Sequence, residues 1–211
     1  MSRLRRTYHH GDLRSSLLDK VGGIIREQGV GVVSIREVAR RARVSHAAPA
    51  HHFGNKSGLL TAFAVQGYER LAATVEDTIA AADVTTPPGI LVAMGRAYVR
   101  FAVDNPEHFR VMFPGELVDQ QDPAYIAASD RCFGPLVDIV RRAPREGYLT
   151  DEPMLVAASA WAIVHGLASL WLSGRVQART GAADADAMAA DVTRLFVARV
   201  MRSTPDSRRS P

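Results

Sequence analysis

The stretch "VSHAAPAHHFGNKSGLL", residues 44–60, decides how this chain reads. It holds three histidines, a proline and no acid, and it places alanines where a buried helix carries leucines. Just upstream, "SIREVARRARV" (34–44) carries four arginines and one glutamate. A short helix of small side chains, fringed with positive charge and histidine, needs a partner that lets its backbone come close.

Local signals divide the surrounding residues into helices. Ser34 and Glu37 have the S-x-x-E spacing of a capping box, which predicts a helix over about 35–42. Arg43-Val44 then forms a tight turn, and Ser45 is placed to cap a third helix over about 46–52, with Pro49 in its first turn, where a missing N–H is tolerated. Asn55 caps a fourth helix whose Leu59, Leu60, Phe63, Leu71 and Val75 keep one apolar face to about 81. Upstream, Leu13, Leu17, Leu18, Val21, Ile24 and Ile25 recur at helical spacing, with Asp12 as N-cap and Gly29 just past the end. Three helices of about 16, 8 and 7 residues with a short gap between the last two match a helix-turn-helix. The second of the paired helices in that motif lies in the major groove. Ala47, Ala48 and Ala50 are then small for fit, and Ser45, His46 and His51 offer hydrogen bonds to base edges or phosphates. Arg36, Arg40, Arg41, Arg43 and Lys56 flank the helix and can neutralise phosphates. The helix-four N-terminus, at Asn55 and Lys56, offers free N–H groups to a phosphate.

"LRSSLLDKVGGIIREQGVGVVSIREVARRARVSHAAPAHHFGNKSGLLTAF" resembles the N-terminal domain of the TetR family of transcriptional regulators, continuously over about 13–63. The pattern S-x-R-x-V-A-x-x-A-x-V-S followed by P-x-x-H-F-x-x-K-x-x-L-L carries the resemblance. "WAIVHGLASLWLSG" (161–174) is similar to the W-x-x-x-H-G motif of one subfamily's ligand-binding domain. The resemblance implies an all-α homodimer of about nine helices, with the first three on an operator and the rest forming a dimerising domain around a small-molecule pocket. It assigns DNA contact to Ser34, Arg36, Arg43, Ser45, His46, Ala47, Ala48, Ala50, His51, His52 and Lys56. Lys56 sits where the family commonly meets a phosphate, and His52 has a phosphate or structural role beside a core Phe53. Three positions depart from the family's pattern. Ala50 stands where a phosphate-contacting Tyr is usual, Arg43 where Gly is usual, and Ser57-Gly58 replaces a more helix-favouring pair, which loosens the start of helix four.

Charge agrees with a polyanion at one end. Residues 1–60 hold 11 Lys/Arg against 4 Asp/Glu, a net +7, whereas the remainder holds 15 against 18, a net −3. The arm at 1–12, with Arg3, Arg5 and Arg6, reads either as a solvated tail or as an arm on phosphates or the minor groove. It has no apolar run after its basic residues and so is no signal peptide. One cysteine in 211 residues excludes an intrachain disulfide and suits a reducing compartment, the cytoplasm.

"DVTTPPG" (83–89) breaks the chain and reads as a boundary, while the family pattern closes the DNA-binding domain (13–60) earlier, leaving 61–202 for ligand binding and dimerisation and 203–211 as a tail. Helices are expected at 88–104, after Asn105-Pro106, at about 123–144 with a kink at Gly134-Pro135, at 152–173 capped by Asp151, and at about 184–201. "GRVQARTGAA" (174–183) reads as a loop, and no strand pattern of period two occurs. The segment from Pro153 to Gly174 is uncharged and long enough to cross a bilayer, but its serines, glycine, histidine and many alanines suit a helix buried in a soluble protein or dimer.

Trp161 and His165 share one helix face, either as packing or as a pocket in which His165 donates among apolar walls. Met94, Tyr98, Phe101, Phe109, Met112 and Phe113 read as core or as the lining of that same cavity. For the dimer, Leu167, Leu170 and Trp171 on the uncharged helix and Val192, Leu195 and Phe196 on the last one are the expected contacts. No metal set or cofactor motif is present: His46 and His51 stand five apart with no Cys or acid close by, and "GNKSG" lacks the spacing of a phosphate loop. Without G-x-S-x-G or H-E-x-x-H, an enzyme has little support. The reading is a ligand-responsive DNA-binding regulator, with the effector apolar or aromatic and most simply a repressor. The alternative is a helical small-molecule-binding protein or enzyme whose DNA-binding domain no longer binds tightly.

Overall fold

The computed structural model describes residues 10–149 and 152–203. Among them the chain is all-α, with ten helices: α1 (His10–Gln28), α2 (Ile35–Ala42), α3 (Ala47–Phe53), α4 (Lys56–Ala82), α5 (Pro87–Asp104), α6 (Pro106–Met112), α7 (Pro123–Arg142), α8 (Pro153–Leu172), α9 (Arg175–Thr180) and α10 (Ala185–Val200). Two-residue strands β1 (Tyr148–Leu149) and β2 (Arg202–Ser203) pair antiparallel. The described residues gather into two compact units, one of those up to 67 with 107–126 and one of 68–106 with those from 127 on. The expected domain edge at residue 60 therefore falls inside α4, which runs unbroken from Lys56 to Ala82.

In the first unit, α1 presents Leu17, Leu18, Val21, Ile24 and Ile25 inward, and all are essentially solvent-free. Val38 and Ala39 of α2, Phe53 of α3 and Leu59, Leu60 and Phe63 of α4 complete this core. Arg14 of α1 lies over the Phe53 ring, 5.5 Å from its centroid, a cation–π contact that fixes the end of α3. α6 belongs to this unit. Its buried Glu107 accepts from Arg26 of α1 at 2.5 Å, and its His108 stacks on Phe63 with ring centroids 4.0 Å apart.

In the second unit, α5 packs along α10 and α8. Leu91, Val137, Val140, Ala143, Val156, Ala157, Val197 and Met201 form its core. α5 and α10 meet closely at Gly95, where any Cβ would run into the Thr193 side chain. α8 buries Val156, Ala157, Val164, Leu167, Ala168 and Trp171 along one stripe. Its outer stripe stays open, with Leu155 at 61% and Leu170 at 46% exposure. The helix is long and apolar enough to cross a membrane, but it is buried along one side only within this unit.

Several local expectations need correction. α1 begins at His10, so Asp12 lies inside the helix rather than capping it. Ser45 does not cap α3: His46 occupies that position in helical conformation, with no side-chain cap, and Ser45 contributes only its carbonyl to the Ala48 N–H at 3.0 Å. The uncharged helix is capped by Glu152, whose carboxylate accepts from the Leu155 N–H at 2.7 Å, while Asp151 lies outside the described residues. "GRVQARTGAA" is not all loop, because Arg175–Thr180 makes a helical turn between the left-handed glycines 174 and 181. As expected, α7 is one helix with Pro135 inside it. The arm at 1–9 and residues 204–211 lie outside the described residues.

Two backbone positions set the helix-turn-helix geometry. Arg43 is left-handed, with φ 55 and ψ 41, and its N–H closes α2 on the Ala39 and Arg40 carbonyls. The start of α4 is held rather than loosened by Gly58: its N–H donates to Asn55 Oδ1 at 3.0 Å, and a Cβ there would collide with the Phe53 carbonyl. Gly58→Ala is expected to destabilise the protein by about 2 kcal/mol, since the clash outweighs alanine's better helix propensity. Arg43→Gly is expected to stabilise it by about 1 kcal/mol by relieving left-handed strain. Urea unfolding of both variants checks the opposite signs.

Candidate nucleic-acid interface

The interface is built on α3. Pro49 and Phe53 anchor it in the core, and this sets which side faces out. Ser45, His46, Ala47 and His51 are exposed, and Ala48, Ala50 and His52 half-exposed. The structure thus gathers the expected reading residues on one open face, with no other described segment over them. His51 and His52 meet edge to face at 5.8 Å, and His52 also contacts the Phe53 ring.

The flanking polar groups fall into distinct environments. Ser34 Oγ accepts from the Glu37 N–H at 3.2 Å, so this hydroxyl serves first as the cap of α2. The reciprocal half of the expected capping box is replaced, because the Glu37 carboxylate turns to Arg40 and Arg41. Hydrogen bonds from Arg40, then Arg41, bring the Glu37 carboxyl down to about 2. Arg41 also reaches Glu27 of α1, so two of the five cations read as phosphate neutralisers are already paired inside the protein. Arg36 and Arg43 are exposed, and among the described residues their side chains make no hydrogen bond or ion pair. Lys56 is exposed and donates to the Gly31 carbonyl at 3.1 Å, which holds it at the foot of α4. Glu37 as a hub was missed from the sequence, although its spacing of three and four from Arg40 and Arg41 is the helical ion-pair signal.

The expected pocket residues divide between the units. Tyr98, Trp161 and His165 come together in the second unit. Tyr98 Oη and His165 Nδ1 share a hydrogen bond at 2.9 Å, and Trp161 Nε1 donates to Tyr98 Oη at 3.4 Å. Trp161 also packs edge to face on His165 and on Phe133. Burial raises the Tyr98 phenol above its ordinary value and lowers the His165 imidazole, so both favour their neutral forms. Met94 and the fully buried Phe101 lie on α5 of the same unit, whereas Phe109, Met112 and Phe113 belong to the first unit, where Phe109 and Phe113 pack 5.2 Å apart. Of the expected dimer contacts, Leu170 and Leu195 are open at 46% and 66% exposure, Val192 and Phe196 are half-buried, and Leu167 and Trp171 are buried within the unit. No group of His, Cys, Asp and Glu suited to a metal occurs among the described residues.

Comparison with known proteins matches this geometry. Residues 23–63 fit the family model for bacterial regulatory proteins of the tetR family, and residues 91–196 fit the tetracyclin repressor-like C-terminal domain. A protein with unknown function from Rhodococcus sp. RHA1 is 29% identical, with a TM-score of 0.80 over 94% of this chain and 100% of that one. The TetR family transcriptional regulator PfmR from Thermus thermophilus is 22% identical, with a TM-score of 0.67 over 85% and 96%. The fatty acid degradation regulator FadR from Bacillus halodurans shares the fold at 14% identity, with a TM-score of 0.70 over 87% and 93%. No curated protein matches the chain. An open α3, a left-handed turn before it and the two matched domains lead to one conclusion: this chain belongs to the TetR family of DNA-binding transcriptional regulators.

Proposed function

We propose that this regulator is a cytoplasmic, homodimeric repressor that leaves a palindromic operator when a small apolar or aromatic molecule binds its C-terminal domain. The observation that carries the DNA half is the outward face of α3, with small side chains in its middle and exposed Ser45, His46 and His51 along it. Two copies would place their α3 helices in successive major grooves about 34–36 Å apart. Ser45, His46 and His51 would reach base edges, Arg36, Arg43 and Lys56 would take phosphates, and Ala47, Ala48 and Ala50 would let the backbone approach.

For the effector half, the Tyr98–His165–Trp161 cluster offers aromatic walls and a polar handle on neutral groups, the composition of a small-molecule site. An effector that prefers one conformer lowers operator affinity only by its differential binding to the two. For the dimer, the outer stripe of α8 is uncharged and, with exposed Leu195 on α10, leaves apolar surface that a second copy would cover.

Gel retardation on the DNA next to the coding region tests the whole reading. Tight, salt-sensitive, sequence-selective retention is the expected result, and only weak nonspecific retention would favour a binding protein with a relic DNA domain. Lys56→Ala should weaken binding to every duplex and make the plot of log affinity against log salt shallower by about 0.9 per protomer, as for one lost phosphate contact. An unchanged slope removes Lys56 from the phosphate contacts. Leu195→Glu should give a folded monomer in sedimentation at micromolar concentration, where the unaltered chain sediments as a dimer. A dimer that survives this change would place the interface elsewhere.

A further inference from the structure

The cations around α3 are not equally available to DNA. Arg40 lays its guanidinium fork on Glu37 through two bonds, Nε to Oε2 at 2.8 Å and Nη2 to Oε1 at 2.7 Å. Arg41 donates from Nε to Glu37 Oε1 at 2.8 Å and from Nη1 to Glu27 Oε2 at 2.6 Å. Arg40, Glu37, Arg41 and Glu27 therefore form one chain of contacts with two charges of each sign and no net charge. The two arginines differ in exposure. The Arg41 side chain is 18% exposed and ties α2 to α1, a structural position. The Arg40 side chain is 69% exposed, on the surface between exposed Arg36 and exposed Arg43.

A planar guanidinium paired side-on with a carboxylate has committed its Nε edge and its orientation to that carboxylate rather than to a phosphate. Each phosphate left uncontacted removes one increment of the sequence-independent affinity with which such a protein competes against itself across a genome. We propose that Glu37 is a positioning residue that holds Arg40 off the DNA backbone and so limits nonspecific binding by the reading motif. Glu37 acts through Arg40 and touches no base. Hydrogen bonds from Arg40 and Arg41 hold the Glu37 carboxyl below the usual carboxylate range, in keeping with this pairing. The inference rests on the DNA-binding reading. Removing the restraint strengthens binding, whereas a merely structural loss in α2 would weaken it, so the two roles differ in sign.

The test measures fluorescence anisotropy of the full chain on a random-sequence duplex and on the duplex retained in the gel assay, over a salt series. Glu37→Gln keeps the shape and the backbone N–H that Ser34 caps. It is expected to steepen the salt slope on random DNA by about 0.9 per protomer, one added phosphate contact, and to narrow the ratio between the two duplexes. Glu37→Gln with Arg40→Ala should return the slope to that of the unaltered chain. An unchanged or shallower slope in the single variant, or a double variant that stays steep, overturns the proposal. Arg40→Ala alone serves if the Glu37 variant fails to fold. It should leave the slope unchanged, and a loss of about 0.9 would show that Arg40 already holds a phosphate. Absence of salt-sensitive retention by the unaltered chain would instead overturn the DNA-binding reading, a separate outcome.

Discussion

The seating of Pro49 and Phe53 in the first unit's core is the constraint on which the reading surface depends. α3 has only seven residues, too few to be helical alone in water, so its form comes from what it packs against. With Phe53 held beneath Arg14 and Pro49 buried, the opposite side must face out. The surface that α3 offers follows from that choice of face, with alanines in its middle and imidazoles along it. Gly58 completes the arrangement, because the turn from α3 into α4 is too tight for a side chain at that position.

Much of this was legible in the sequence. Periodic apolar residues located α1, α4 and α10, and Asn55 acts as the expected cap, whereas the caps Thr86 and Asp184 were not read from the sequence. The misreadings share a physical cause. Ser45 and Asp12 are good capping types, but a chain can begin its helix one turn earlier or use a backbone carbonyl instead, and residue type alone does not choose. Propensity reads Gly58 as a weak helix former, whereas its role is steric and involves the carbonyl of Phe53. The candidate site was legible as a set of residue types but not as a set of partnerships. Four arginines near the third helix look alike as residue types, and side-chain geometry separates Arg40 and Arg41, which are paired, from Arg36 and Arg43, which are not; the spacing from Glu37 was the one sequence signal for it.

The second unit shows a different balance. Its uncharged α8 satisfies the composition of a membrane-crossing segment, yet a continuous row of its side chains, from Val156 to Trp171, packs inward. The polar atoms placed among the aromatics there, on Tyr98, His165 and Trp161, are joined to one another. The buried Tyr98 phenol is tolerated because the half-buried His165 imidazole and the exposed Trp161 indole satisfy it, and desolvation keeps phenol and imidazole uncharged.

The contact of Gly95 with Thr193 has a bearing on how such a chain can change over time. The two positions share a single small volume between α5 and α10, so neither can be altered in size without regard to the other. A lineage that descends from this sequence can therefore give residue 95 a side chain more easily once residue 193 has become smaller.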